Sequence, residues 1–333
     1  LRDVSSIDTS TELFGTQMSI PVGLAPVGLA GMYARRGEVQ GMRAAENAGI
    51  PFALSTVGVC SLKEVNAAAT KPFWFQLYMI RDRSFMRDML AQARAAKCSA
   101  LIFTLDMPVP GTRYRDYRSG LAGESFLSGN IRRIAQSIVR PYWAWNVGLC
   151  GRPHQLGNIA PVLGSNSGLE DFMAWMQDNF DPSVSWKDLN FVRENWDGPL
   201  ILKGILDKDD AIKAASIGVD GIIVSNHGGR QLDGVPSTVK ALPSIADAVG
   251  DRVDLLVDGG ISSGLDVVKM LALGAKSVLI GRSWVYALAA RGQLGVEHVL
   301  ELLDKEMRVA MSLTGCRKIS DINQDILNKY KNG

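Results

Sequence analysis

Eight short, continuous apolar runs, each followed by turn residues, most constrain what this chain can fold into. An alternating pattern is typical of strands with one wet face, whereas continuous runs are typical of strands buried on both faces of a parallel sheet. The runs cover residues 22–25, 52–54, 73–77, 101–104, 200–202, 221–224, 255–257 and 277–280.

Helical patterns separate these runs, most clearly at residues 38–48, 85–96, 209–217 and 264–273. Eight strand–helix units in succession predict an α/β protein of the (β/α)8 TIM-barrel type, and a doubly wound open sheet is the alternative. With 333 residues, 47% of them hydrophobic, the chain can fill one large core, so we expect a single domain over residues 1–333.

The spacing of the runs breaks once, after the fourth run. We expect an insertion at approximately residues 117–186, on the barrel face that carries active sites. It contains Ile131-Arg132-Arg133-Ile134, Ile138-Val139-Arg140 and Tyr142-Trp143-Ala144-Trp145. Basic residues beside tryptophans are typical of a membrane interface, and a packed loop with solvated arginines is an equal alternative.

Composition excludes several other classes. The net charge of +2 gives no reason to expect a nucleic-acid partner. The four cysteines, at positions 60, 98, 150 and 316, form no CxxC pair, so we expect reduced thiols in a cytosolic protein. We find no signal peptide and no apolar run long enough to cross a membrane.

Polar or charged side chains follow nearly every run, at the strand ends where barrels carry their active sites. Buried charges are costly without partners, so we expect mutual pairing or a ligand there. These side chains are Ser55, Gln76, Tyr78, Thr104, Asp106, Arg113, Lys203, Ser225, His227, Arg230, Asp258 and Arg282.

His227 is the candidate base, because histidine moves protons near neutral pH and Gly228-Gly229 would let a ligand approach the backbone. Arg230 and Arg113 can each bind a carboxylate through two hydrogen bonds. Asp106 could pair with the imidazolium, cap a helix or pair with an arginine. Lys203 is either a Schiff-base nucleophile or a fixed positive charge beside a cofactor.

Glycine-rich turns at 258–264 and 281–283 each precede a helical pattern, as in the phosphate sites of barrels. We find no GxSxG, HExxH or Walker sequence and expect no metal centre. His154 and His298 are expected to be structural.

The segment Ser225-Asn226-His227-Gly228-Gly229-Arg230-Gln231-Leu232-Asp233 resembles the signature of the FMN-dependent 2-hydroxy-acid oxidase and dehydrogenase family. Residues 75–78, 104–106, 203–204 and 258–260 also match, and the similarity extends from Pro21 to the C-terminal helix. Residues 25–29 and 31–38 are most similar to the bacterial respiratory members that oxidise L-lactate.

The resemblance implies a role for each matching residue. His227 would take a substrate proton, Asp106 would stabilise its charge, Tyr78 would hydrogen-bond near the substrate oxygen, and Val57 would set pocket size. Arg230 and Arg113 would bind the substrate carboxylate. FMN would be contacted by Pro26, Val27, Gly28, Ser55, Gln76, Thr104, Lys203, Ser225, Asp258, Gly260, Gly281 and Arg282.

It also implies oxidation of a small L-2-hydroxy acid, L-lactate to pyruvate, by either a proton-abstraction or a hydride route. Electrons would pass to a membrane quinone, with the protein cytoplasmic, peripheral to the inner membrane and homo-oligomeric. An oxidase that releases hydrogen peroxide and a flavin-poor, membrane-associated scaffold are the alternatives.

Two departures from the family stand out. Family members usually carry an arginine that contacts the phosphate where this chain has Ser262, so FMN retention should be weaker. Members also carry a tyrosine that touches substrate on a segment before the position of Leu1, so we expect none of the residues numbered here to be that tyrosine.

Overall fold

The computed structural model describes residues 2–114, 118, 134–163 and 175–327. At its centre lie eight parallel strands, hydrogen-bonded in the order β3-β10-β9-β8-β7-β6-β5-β4. They are β3 (Val22–Leu24), β4 (Ala53–Ser55), β5 (Trp74–Tyr78), β6 (Ala100–Thr104), β7 (Leu200–Ile205), β8 (Gly221–Val224), β9 (Asp254–Asp258) and β10 (Ser277–Ile280).

A parallel bridge between Leu24 and Phe52 joins the two ends of this order, β3 and β4. The Leu24 N–H donates to the Pro51 carbonyl across the same junction at 2.9 Å. The sheet therefore closes into a (β/α)8 barrel, as predicted, and every apolar run of the sequence contributes one of its strands.

Each strand is buried on two sides, which explains why the runs do not alternate with polar residues. Along β9, Leu256 belongs to the barrel interior, whereas Leu255 and Val257 pack outward under the helices. Ile201, Ile223 and Leu279 fill the same interior layer. Alternation along each strand is thus between two apolar environments.

The helices surround this barrel. They are α1 (Gly37–Ala48), α2 (Leu62–Ala68), α3 (Arg83–Ala95), α4 (Pro141–Trp143, which continues as a π-helical segment over Ala144–Leu149), α5 (Ala160–Leu163), α6 (Asp188–Glu194), α7 (Lys208–Ser216), α8 (Thr238–Val249), α9 (Gly264–Ala272) and α10 (Arg282–Thr314, interrupted at Arg291 and Gly292). The four helices predicted most clearly are confirmed as α1, α3, α7 and α9, with ends within two residues of prediction.

A hairpin that was not predicted from the sequence covers the barrel end opposite the strand carboxyl ends. Its strands are β1 (Thr11–Leu13) and β2 (Thr16–Met18), joined by Phe14 and Gly15, both with positive φ. Leu13 is buried in the interior layer, and the Phe14 ring lies 5.9 Å from that of Trp74. The hairpin excludes water from the inner core.

The described parts of the predicted insertion lie between β6 and β7. Ile131, Arg132 and Arg133 fall outside the described residues. In the part of the chain that is described, no helix combines the length and apolar character needed to cross a bilayer.

Replacing Leu13 with alanine should destabilise the protein by ~2–4 kcal/mol, because the interior layer loses a buried side chain and gains a cavity. Thermal and urea unfolding would measure the loss. Thr16→Ala, an exposed change in the same hairpin, is the matched control and should have little effect. Equal stability of the two variants would show that the hairpin does not seal the barrel.

Candidate active site

Lys203 is a buried cation at the carboxyl end of β7, with 4% of its surface exposed. Its Nζ lies 3.1 Å from Asp258 Oδ2 and donates to Ser225 Oγ at 2.8 Å. Burial would lower the pKa of Lys203, but the charges of Asp258 and Asp106 outweigh it and hold the pKa above its ordinary value. A Schiff base needs a neutral amine, so this arrangement favours a fixed positive charge.

Asp106 and His227 form a hydrogen-bonded pair, with Nδ1 to Oδ1 at 2.9 Å. Burial would raise the pKa of Asp106, but Lys203 and the hydrogen bond to His227 keep it below its ordinary value. The ionised carboxylate can only accept, so Nδ1 carries the proton and Nε2 is the basic nitrogen. Of the alternatives for Asp106, the geometry therefore favours pairing with the imidazole of His227.

The loop that presents His227 is unusual in its backbone. His227, Gly228 and Gly229 have φ values of 55°, 66° and 71°, all left-handed, and the first is costly for a residue with a Cβ. The His227 N–H donates to Ser225 Oγ at 3.0 Å, so the hydroxyl that accepts from Lys203 also fixes this turn. The two glycines therefore allow the left-handed turn, in addition to the expected close approach of a ligand to the backbone.

Tyr78, at the end of β5, lies within the field of the other charged residues. Burial raises the pKa of Tyr78 to about 12, with the charges of Lys203, Asp106, Arg113 and Arg230 acting on the same hydroxyl. The hydroxyl is therefore a proton donor throughout the physiological range. Arg113 is half-buried and Arg230 is exposed. Their charges act on Tyr78 together with that of Asp106, which bonds to His227, so the predicted catalytic and carboxylate-binding residues lie near one rim.

Polar side chains form a hydrogen-bonded line across the carboxyl ends of β4, β5 and β6, next to the apolar interior of the barrel. Ser55 Oγ donates to Gln76 Oε1 at 3.0 Å, and Gln76 Nε2 donates to Thr104 Oγ1 at 3.0 Å. All three side chains are buried and come from neighbouring strands. Their predicted flavin contacts stay predictions, and their common position at the strand ends supports them.

The loops after β3 and β4 pack tightly on each other. A Cβ added to Gly28 would lie 2.6 Å from Val57 Cγ2, and the Leu29 N–H donates to the Val57 carbonyl at 2.9 Å. Pro26 and Val27 precede this contact. Val57 therefore has a packing role against Gly28, and its effect on pocket size stays a prediction.

The predicted phosphate end lies around Gly260, Gly281 and Arg282. A Cβ on Gly260 would meet no atom within 4 Å, and Arg282 Nη2 donates to the Gly228 carbonyl at 3.3 Å. At Ser262, both the N–H and the hydroxyl donate to Asp266 Oδ2, at 3.1 and 3.2 Å. Ser262 is therefore engaged at the start of α9, and Arg282 places a guanidinium on this side of the rim.

Four buried acceptor atoms at this rim have no hydrogen-bond partner among the described residues. Each such atom costs roughly 1–3 kcal/mol unless a ligand donates to it. They are Asp106 Oδ2, Asn226 Oδ1, Gln231 Oε1 and Asp258 Oδ1. FMN and a hydroxy acid together supply ribityl hydroxyls, a ring N–H and a substrate hydroxyl, so the residues present fit the predicted cofactor and substrate.

Three residues of the rim were not singled out from the sequence. Asn226 and Gln231 stand in the quoted motif, which was the available signal, and Gln231 Nε2 donates to the Asp106 carbonyl at 3.2 Å. Asn158, 2% exposed, donates to the carbonyls of Ser55 and Thr56, and no sequence pattern indicated it. His154 bonds to the Val147 carbonyl, consistent with a structural role.

Replacing Lys203 with methionine should lower the free energy of unfolding by ~3–5 kcal/mol at pH 7, since Asp258 and Asp106 lose their buried cation. The raised pKa of Lys203 means that its stabilisation is fully present below its ordinary value of 10.5 and is lost as the pH rises through the raised value. The deficit should shrink toward acid pH, as the stranded carboxylates take up protons. Urea unfolding of the apoprotein against pH would measure this.

Lys203→Met combined with Asp258→Asn is the matched rescue and should recover part of the stability. An equally large deficit in the double variant would contradict the ion pair between Lys203 and Asp258.

Comparison with known proteins identifies relatives along the whole chain. Residues 1–329 match the model of a family described as FMN-dependent dehydrogenase. An L-lactate dehydrogenase of Caulobacter sp. (strain K31) is 63% identical over 329 residues, 99% of this chain and 86% of that protein. An L-lactate dehydrogenase of Acinetobacter baumannii is 60% identical over 327 residues, 98% of this chain and 85% of that protein.

Solved structures agree with this assignment. The monotopic membrane protein (S)-mandelate dehydrogenase superposes with a TM-score of 0.90 at 35% identity, over 98% of this chain and 86% of that chain. A mandelate oxidase superposes with a TM-score of 0.80 at 36% identity, over 97% and 83%. The chain therefore belongs to the FMN-dependent dehydrogenase family, and FMN is its cofactor.

Proposed function

We propose that this enzyme oxidises L-lactate to pyruvate at the barrel rim and passes the electrons to a membrane quinone. The observation that carries the proposal is the hydrogen bond of 2.9 Å between His227 Nδ1 and Asp106, set among Tyr78, Arg113, Arg230 and the buried Lys203. The names of the relatives at 60% and 63% identity support lactate as the substrate.

Bound FMN supplies the capacity to accept two electrons. In the proposed mechanism, Arg230 and Arg113 hold the substrate carboxylate and so orient its α-carbon. Nε2 of His227 takes a proton from the substrate, and Asp106 stabilises the imidazolium that results. The Tyr78 hydroxyl donates to the substrate oxygen, which its raised pKa allows at every physiological pH.

Lys203 has a different task, because its charge does not change during the reaction. A permanently protonated amine in a shielded site stabilises negative charge more strongly than one in water. We propose that Lys203 would be one of the residues that hold the flavin, to which it would supply a fixed positive charge. The geometry is compatible with both the proton-abstraction and the hydride route, since each needs a base at His227.

The flavin absorbance of the holoenzyme should bleach when L-lactate is added without oxygen. The His227→Gln variant should retain FMN, but its rate of flavin reduction should be lower by ~10²–10⁴-fold. Anaerobic stopped-flow absorbance would measure both. L-Mandelate and glycolate are the comparison substrates, and lactate should reduce the flavin fastest. Near-normal reduction in the His227→Gln variant would remove His227 from the base role.

A second candidate function is that of an oxidase, which would hand electrons to oxygen through the same residues. The superposition on mandelate oxidase at 36% identity is the observation that favours it. Hydrogen peroxide released in step with lactate consumption under air would establish this alternative over a quinone acceptor. A yellow purified protein whose flavin is bleached by lactate would exclude the alternative of a flavin-poor, non-catalytic scaffold.

The proposed membrane contact rests on an exposed apolar surface beside α4. Its large side chains are more than half exposed: Ile138, Val139, Tyr142, Trp145 and Leu149. We propose that this α4 surface seats the enzyme on the cytoplasmic side of the inner membrane, where quinone is available. The likeness to a monotopic membrane protein supports this, and a homo-oligomer stays an expectation of the resemblance.

Replacing Tyr142 and Trp145 together with serine should weaken binding to anionic phospholipid vesicles by about tenfold or more, because two interfacial side chains are lost. Co-sedimentation would measure the binding, and flavin reduction by lactate should be unchanged. Tyr286→Ser, on the exposed face of α10, is the control. Unchanged vesicle binding of the double variant would exclude the α4 surface as the membrane contact.

A further inference from the structure

The chain returning toward β7 forms a small antiparallel pairing with the residues that follow β5. Ile80 and Phe180 form the bridge. The Arg81 N–H donates to the Asn179 carbonyl at 2.8 Å, and the Asp181 N–H donates to the Met79 carbonyl at 3.3 Å. Residues 179–181 therefore lie directly against the backbone that leaves Tyr78.

Aromatic rings continue this contact. The Phe180 ring centroid lies 5.2 Å from that of Tyr78 with the planes tilted by 32°, and Phe180 is 2% exposed. Trp175 meets Phe180 edge-on at 6.4 Å and Phe85 of α3 edge-on at 6.1 Å. The Tyr78 ring thus packs against a cluster of aromatic rings that includes Phe85 of α3.

One guanidinium holds the pairing together. Arg83 Nη2 lies 2.7 Å from Asp181 Oδ2 and 3.1 Å from Asp188 Oδ1. Arg83 Nη1 donates to the Ile80 carbonyl at 2.5 Å. Arg83 therefore ties both partners of the bridge to the start of α6, and we name residues 175–188 together with Arg83 the return clamp.

The direction of a tyrosine hydroxyl depends on its ring, because the oxygen stands far from the backbone and small torsional changes displace it. Hydrogen-bond donors stabilise a reacting oxygen only when they are already oriented toward it. A ring packed against a rigid partner loses that torsional freedom. Phe180 of the return clamp is such a rigid partner, because its ring packs directly on the Tyr78 ring.

We infer that Phe180 is a positioning residue, which orients the Tyr78 ring for the reaction while Arg83 holds Phe180 in place. The inference rests on the proposed role of Tyr78 as a donor to substrate. The long connection between β6 and β7 then has two proposed roles. Phe180 serves the chemistry, and the α4 surface serves the membrane contact.

A double-mutant cycle tests the inference on the holoenzyme with Phe180→Leu, Tyr78→Phe and the combination. Phe180→Leu should lower the rate of flavin reduction by lactate ~10-fold, and in the Tyr78→Phe background by less than ~2-fold. Phe180→Tyr, which keeps an aromatic ring, should restore most of the rate. Equal effects in both backgrounds, or no rescue by the ring, would overturn the positioning role.

The same cycle separates this inference from the proposed function. If Tyr78→Phe alone leaves flavin reduction unchanged, the role of Tyr78 is wrong and the inference falls with it. If Tyr78→Phe slows reduction but the effects of the two substitutions on the activation free energy are additive, Tyr78 keeps its role and Phe180 only packs in the core.

Hydrogen exchange of the apoprotein supplies a readout that does not depend on activity. Arg83→Gln should accelerate exchange of the amides at Arg81 and Asp181, in peptides covering residues 79–83 and 179–183, by ~10-fold or more. Arg87→Gln, an exposed arginine of the same helix, is the control. Asp188→Asn is the milder second variant if Arg83→Gln does not fold, and unchanged exchange in these peptides would overturn the clamp.

Discussion

Parallel strands that close into a barrel all end at one rim, and here that rim concentrates charges that stabilise each other. Lys203 is buried between Asp258 and Ser225, and its charge also acts on Asp106, which in turn fixes the imidazole of His227. Each group is costly to bury by itself. Barrel closure therefore decides which side chains can meet, and mutual pairing decides their protonation.

Several contacts join the described residues between β6 and β7 to the loops around this rim. Trp143 Nε1 donates to the Met32 carbonyl at 2.8 Å, which attaches the α4 surface to the loop after β3. Asn158 bonds to the carbonyls of Ser55 and Thr56 after β4, and Phe180 packs on Tyr78 after β5. The proposed membrane contact would need the α4 surface to be attached to the rim, and the hydrogen bond of Trp143 supplies one such attachment.

At the predicted phosphate end, Ser262 and Ser263 direct their hydrogen bonds to Asp266. Ser262 donates twice to Asp266, and burial, which would raise the pKa of Asp266, is outweighed by the hydrogen bonds from Ser262 and Ser263, so the pKa stays below its ordinary value. An ionised carboxylate near a phosphate is repulsive. Arg282, at the start of α10, supplies a positive charge on the same side, and the expectation of weaker FMN retention stays a prediction.

The sequence by itself determined eight parallel strands, because strands buried on both faces are continuous apolar runs, and it placed Lys203, Asp106 and His227 at or just after strand ends. The choice between a closed barrel and an open sheet was made by the pairing of Leu24 with Phe52. The pairing of Lys203, Asp106 and His227 could be anticipated from their common rim and from the motif at 225–233. The hairpin at Thr11–Met18, the packing of Val57 on Gly28, and the contacts of Asn158 and Phe180 could not. Those contacts join residues far apart in the chain, and no local pattern encodes which loop packs on which. Only tertiary structure decided them, because loop positions follow from long-range packing and hydrogen bonding rather than from periodicity.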